Sequence, residues 1–148
     1  MREFVFHQEF LAPAPVEKVF PFFTDVRNLQ RITPPWLDFK ILSPGDIEMR
    51  KGALIDYKLK IRGIPVRWQS EITAWEPPVR FVDEQLHGPY KMWIHEHRFE
   101  ERDGGTMCID HVRYAVPGGA LVEKFLVRPD IEKIFAHRVQ VLKEVFGG

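Results

Sequence analysis

The chain has a single cysteine, Cys108, among 148 residues, so it forms no internal disulfide and lacks the thiolate clusters that hold structural zinc. It has no excess charge of either sign: 21 lysines and arginines offset 21 aspartates and glutamates. No global field therefore draws it to nucleic acid or to an anionic surface. No apolar run approaches the ~20 residues of a membrane span, and no low-complexity tract or fixed-period repeat is present. The first residues alternate Phe4, Phe6 and Phe10 with other side chains, where a secretory leader would place a basic stretch and then an apolar one. These absences predict a cytoplasmic protein with no membrane span and no nucleic-acid partner.

What is present is material for one core. Hydrophobic residues make up 45% of the chain and aromatics 13%, enough for a single domain over 1–148. Residues 2 to 11 alternate as a strand and stop at Ala12-Pro13-Ala14-Pro15. Val16, Val19, Phe20 and Phe23 then recur at helical spacing, with Pro21 expected to kink or shorten the helix. A second short helix carries Val26, Leu29 and Ile32, starts at Thr24 or Asp25 and ends at Thr33-Pro34-Pro35.

From Trp36 to Val116 the period is two. Strands are predicted around Leu37–Ile41, Ile55–Ile61, Trp68–Ala74, Arg80–Leu86, Lys91–Glu101 and Thr106–Val116. Turns fall at Ser43-Pro44-Gly45-Asp46, Arg62-Gly63-Ile64-Pro65, Pro77-Pro78, Gly88-Pro89-Tyr90 and Asp103-Gly104. After Pro117-Gly118-Gly119, Leu121, Val122, Phe125 and Leu126 form a first helical segment, interrupted at Arg128-Pro129. A long apolar stripe then runs from Ile131 through Ile134, Phe135, Val139 and Leu142 to Phe146. The pattern is α+β: about seven antiparallel strands, two short helices after the first strand, and a long C-terminal helix that needs a sheet to cover. Such a curled sheet on a helix tends to leave a cavity between them.

The stretch from His87 to Phe99 is the richest in chemistry. Trp93, His95, His97 and Phe99 share one strand face. With Asp103 and Gly104 as the central turn residues, counting back opposes Phe99 to Cys108, His97 to Asp110, His95 to Val112 and Trp93 to Tyr114. Asp83 and Gln85 are expected on the same side, so the inward polar set is Asp83, Gln85, His95, His97 and Asp110, ringed by Trp68, Trp93, Phe99 and Tyr114.

Three readings stand for that set. A His97–Asp110 bridge is an ordinary way to satisfy buried polar groups and needs the fewest assumptions. The same groups can orient a ligand, or move a proton if the pair titrates near neutrality. His-x-His beside a carboxylate is also a known metal geometry, but no third histidine sits at diagnostic spacing, so neither metal nor other cofactor is expected. His7 reads as an outward residue, and His111 and His137 fall in unrelated contexts. Lys58, Arg62 and Arg67 are placed facing water, and Cys108 in the core or a pocket wall.

The order of elements resembles the helix-grip fold of the START and birch-allergen superfamily, SRPBCC, over essentially the whole chain. Ile32-Thr33-Pro34-Pro35, Gly52 to Tyr57, Phe81 to Gln85, Gly88-Pro89-Tyr90, Trp93 to Phe99, Asp110 to Tyr114 with Pro117, and Ile134-Phe135 before Arg138 are similar to a bacterial ligand-binding branch. The resemblance implies a cavity for a lipid, quinone, polyketide or similar molecule. Nearby relatives include polyketide cyclases and dehydratases and coenzyme Q-binding START-domain proteins.

The expected function is binding of a small, largely apolar or aromatic ligand, as carrier or sensor. Tyr57, Trp68, Asp83, Gln85, Trp93, His95, His97, Asp110, Tyr114 and Phe135 are the candidate ligand-binding residues. The alternatives are a cyclase- or dehydratase-like enzyme using His97 and Asp110, and a protein-interaction domain with a vestigial cavity that meets its partner around Trp36.

Overall fold

A computed structural model describes residues 2–43 and 47–147. Its elements run β1 (Phe4–Ala12), α1 (Val16–Thr24), α2 (Val26–Ile32), a 3-10 turn (Pro35–Leu37), β2 (Lys40–Ile41), β3 (Leu54–Ile61), β4 (Ile64–Glu76), β5 (Arg80–His87), β6 (Met92–Arg102), β7 (Gly105–Ala115), α3 (Gly119–Val122), a π-helical segment (Glu123–Val127) and α4 (Arg128–Phe146). The strands form one antiparallel sheet in the order β1-β7-β6-β5-β4-β3-β2. The sheet curves against the long C-terminal helix, which is the α+β arrangement that the alternation predicted and the helix-grip fold that the resemblance implied.

Local chemistry explains the register. Asp103 and Gly104 have φ of 51° and 76°, and Arg62 and Gly63 have φ of 50° and 80°. Two successive positive-φ residues make the tight turn whose twist matches a hairpin. The first sets β6 against β7 with Arg102 opposite Gly105, His97 opposite Asp110 and Trp93 opposite Tyr114, the pairing that counting back from the turn had given. The second turn is tighter than expected, because Ile64 and Pro65 already belong to β4. Asp25 caps α2 through its side chain, which accepts from the Arg27 backbone N–H.

Three expectations are corrected. The strand predicted from Leu37 is cut to Lys40–Ile41, because Pro34 and Pro35 start a 3-10 turn that takes up Leu37. Arg128-Pro129 does not interrupt the C-terminal helix; the chain passes from the π-helical segment straight into α4, with the proline at its second position. Arg62 does not simply face water, since it donates to both Asp130 carboxylate oxygens (3.2 and 3.0 Å) and to the Leu126 carbonyl (3.3 Å), tying the β3–β4 turn to the helix. Of the turn expected at residues 43–46, Pro44, Gly45 and Asp46 lie outside the described residues.

The buried side chains fall into two regions along α4. Phe10, Phe20, Ile72, Phe81, Phe99 and Leu142 pack together where α1 crosses the sheet. Val112, Tyr114, Ile131 and Phe135 form a second cluster toward the start of α4, next to Leu37, Leu59 and Trp68. The polar residues His95, His97, Asp110 and Arg138 are buried between these regions.

Candidate functional site: a polar cluster between two cavities

β6 delivers His95 and His97, β7 delivers Asp110, β5 delivers Asp83 and α4 delivers Arg138. His97 Nε2 lies 2.6 Å from Asp83 Oδ2 and His95 Nε2 lies 2.7 Å from Asp110 Oδ1. The expected His97–Asp110 bridge is therefore corrected. The two stand opposite in register, yet His97 Nδ1 is 3.7 Å from Asp110 Oδ1 and its short bond runs to the neighbouring strand. The cause is packing: the His97 ring stacks between Phe81 (4.1 Å, 9°) and His95 (3.7 Å, 22°), and this orients its edge toward Asp83.

Arg138 completes the cluster. Its Nη2 reaches Asp110 Oδ1 at 3.3 Å and His97 Nδ1 at 3.5 Å, and its guanidinium lies over Phe23 and Phe135 (5.4 and 5.6 Å). The sequence carried a signal for it. Ile131, Phe135, Arg138 and Leu142 are all buried on one helix face, so a guanidinium stands where the helical period calls for a hydrophobe.

Protonation follows from these contacts. Burial would raise the Asp110 carboxyl, but the Arg138 charge and the His95 hydrogen bond outweigh it and hold the group well below the usual carboxylate range. Burial is opposed in the same way at Asp83 by the His97 hydrogen bond and the surrounding positive groups, and the net shift is downward. For His97, burial and then the adjacent His95 push its pKa down to about 4, against the pull of Asp83. A neutral His97 facing an ionised Asp83 carries its proton on Nε2 and leaves Nδ1 to accept from Arg138. Its basic nitrogen is thus occupied.

Two cavities flank the cluster. The larger, of about 690 Å³, lies between the first half of α4, the sheet and the 3-10 turn; its walls include Tyr57, Trp68, Tyr90, Trp93, His95, Ile134, Phe135 and Arg138. The smaller, of about 50 Å³, is lined by Phe22, Phe23, Ile72, Phe81, Asp83, His97 and Arg138. Arg138 borders both, and its Nε is buried without a hydrogen-bond partner among the described residues.

Of the residues singled out from sequence, Tyr57, Trp68, Trp93, His95 and Phe135 line the larger cavity, while Asp83 and His97 line the smaller. Asp110 stands behind His95, outside both linings. Gln85 and Tyr114 are also placed elsewhere. The Gln85 amide donates to the Tyr90 carbonyl (2.8 Å) and accepts from the Tyr90 N–H (3.1 Å), which pins the Gly88-Pro89-Tyr90 connection. The Tyr114 hydroxyl donates to Glu123 at 2.5 Å, which anchors the π-helical segment. Cys108 is buried and its thiol is pushed up to about 12, first by burial and then by Asp110, so it is inert as a nucleophile.

Asp83, His95 and His97 bring one donor atom each within 4.8 Å of the others. The Asp83–His97 separation of 2.6 Å is that of a shared proton; two donors on one ion stand about 3 Å or more apart. Arg138 already supplies positive charge beside them. As folded, the cluster is closed by hydrogen bonds.

The fold and the cavity together define a helix-grip protein of the SRPBCC superfamily. The chain belongs to the family described as polyketide cyclase / dehydrase and lipid transport, whose profile matches residues 12–143. Similar solved structures include the Zhui aromatase/cyclase of Streptomyces sp. R1128 (TM-score 0.74, 15% identity, covering 95% of this chain and 92% of that one). Ginseng major latex-like protein 151 of Panax ginseng (TM-score 0.71, 9% identity, 97% of each chain) and protein TTHA0849 of Thermus thermophilus (TM-score 0.72, 17% identity, 95% and 98%) share the fold as well. No curated protein matches the sequence significantly.

Proposed function

We propose that the protein binds a small, largely apolar ligand in the larger cavity, as a carrier or sensor. The observation that carries this reading is the cavity itself. Its volume of about 690 Å³ falls in the range of small-molecule sites, about 300–1,000 Å³, and its wall is mostly aromatic and aliphatic, with Thr33, Arg62, His95, Asp130, Lys133 and Arg138 as its polar members. Trp68, Trp93 and Tyr90 present ring faces and edges at mutual centroid distances of 4.8 to 5.5 Å, a surface suited to flat or branched apolar groups. Arg138 Nε is buried without a hydrogen-bond partner among the described residues, and the same side chain borders the cavity, where it offers positive charge to a ligand carbonyl or hydroxyl oxygen.

The test is native mass spectrometry of protein purified from its own cells, followed by thermal-shift screening across lipid, quinone and polyketide panels. A bound small molecule, displaced in the Trp93→Ala variant, is expected. No bound molecule and no shift with any panel would remove the reading.

One observation favours a second reading, proton transfer on a bound substrate of the cyclase or dehydratase type. His95 reaches the cavity with Asp110 oriented behind it, whereas His97 is engaged at both nitrogens. In this reading His95 replaces His97 as the acid–base group. Unchanged turnover of every candidate substrate by His95→Gln and Asp110→Asn would exclude it. The interaction-domain reading has less support: Trp36 is 56% exposed, but it borders a cavity that is large and open in form rather than vestigial.

A further inference from the structure

On the face of the sheet turned away from α4, β1 and β7 carry His7 and His111 as directly opposed partners. Their rings meet Nδ1 to Nδ1 at 3.3 Å, with an interplanar angle of 67°. His7 Nε2 lies 3.0 Å from Glu9 Oε2. A carboxylate only accepts, so Nε2 carries the His7 proton and Nδ1 keeps a lone pair turned toward His111.

Two arrangements bring imidazole nitrogens together, a ring-to-ring hydrogen bond and a shared ion. The separation fits either: it is a long N–H···N bond, and it is also the spacing of two nitrogens about 2.0–2.1 Å from one tetrahedral ion, which stand about 3.3 Å apart. The carboxylate is an independent sign, because a metal-binding imidazole characteristically donates its other N–H to such a group. Accessibility and charge also fit. His7 and Glu9 are 47% and 43% exposed at their side chains, which leaves room for water to complete the coordination. The nearest cation on β7, Arg113, is engaged by Glu3, and on β6 Glu96, opposite His111, engages Arg80 and Arg98.

We propose that His7 and His111 form a binding site for a late divalent transition ion, Cu2+, Ni2+ or Zn2+, with Glu9 as the positioning residue for the His7 ring. Imidazole nitrogen suits these ions, and the usual affinity order ranks Cu2+ first, whereas Mg2+ and Ca2+ require oxygen. The ion clamps edge strand β1 to β7. The site is separate from the cavity and independent of the ligand proposed for it.

Tag-free protein titrated with CuCl2, and separately with ZnCl2 and MgCl2, tests this by calorimetry and by electron paramagnetic resonance of the Cu2+ form. One Cu2+ per chain with nitrogen coupling from two imidazoles, weaker Zn2+ binding, no Mg2+ binding and a raised Tm with the ion are expected. His7→Gln and His111→Gln should each weaken Cu2+ binding at least about tenfold, and Glu9→Gln about tenfold. His95→Gln, in the buried cluster, should leave it unchanged. Absence of binding to the unaltered protein, retained binding in the double variant His7→Gln/His111→Gln, or its loss in His95→Gln overturns the proposal.

Discussion

The space between the sheet and α4 has two ends built from the same kind of residue and finished differently. At the Leu142 end, α1 inserts Phe20 against Phe81, Phe99 and Trp75 at centroid distances of 6.0, 5.3 and 5.6 Å, and only about 50 Å³ remains. At the Ile131 end, Tyr57, Trp68, Tyr90 and Trp93 contact one another, yet about 690 Å³ stays open. Aromatic content alone therefore does not decide whether a core closes. The difference lies in what the covering element delivers: α1 drives the Phe20 ring into the first gap, while the 3-10 turn at the second brings Leu37 only against Leu59 and Trp68 at the wall.

Perturbing the filled end should produce the largest effect. Phe99→Ala removes a ring that touches Phe20, Phe23 and Phe81, with an expected loss of about 3–5 kcal/mol in urea unfolding and little change in ligand occupancy. The boundary comes next, as a pH dependence. The unfolded chain takes up a proton on His97 near pH ~6.5, the folded protein only near about 4. Between those values the unfolded state binds more protons, so stability falls as the pH falls, by about 3 kcal/mol in all. Below that window the lowered Asp83 and Asp110 carboxyls extend the loss, because the unfolded chain protonates them first. Unfolding midpoints measured across this range should slope in the parent protein and slope less between pH ~6.5 and ~4 in His97→Gln.

At the open end the balance reverses. Trp93→Ala enlarges an existing void instead of creating one, so it should cost less stability than Phe99→Ala while abolishing ligand binding. An equal loss of stability in Trp93→Ala and Phe99→Ala would break the comparison. The smallest effect belongs to Arg62→Ala, which cuts an exposed tie between the β3–β4 turn and Asp130. Its expected cost is about 0.2–1 kcal/mol in thermal unfolding.

Much of the frame was legible in residue order. Asp103-Gly104 set the β6–β7 register, and the alternation of Trp93, His95, His97 and Phe99 set their common face. The hydrogen-bond partners were not legible, because register places Cα atoms and not the ends of side chains. Ring stacking on Phe81 turned His97 to Asp83, a residue of a different strand pair. Arg138 arrives from the far end of the chain, and only its place on an apolar stripe marked it. Gln85 was assigned to the site by its face, while its amide is used up on the backbone of Tyr90 in the loop that follows. His7 and His111 looked unrelated until β1 paired with β7, a contact across 104 positions that local periodicity does not encode.

Val122 and Val127 both roof the cavity although they are five positions apart, a spacing that shares a face in a π turn and not in an α-helix. Removing one residue from between them would restore the 3.6-residue period and leave the two valines four positions apart, still on one face. The π-helical segment therefore takes up one residue without turning either flanking helix round its axis. Chain length can change by one at this point while the roof over the cavity keeps its side chains.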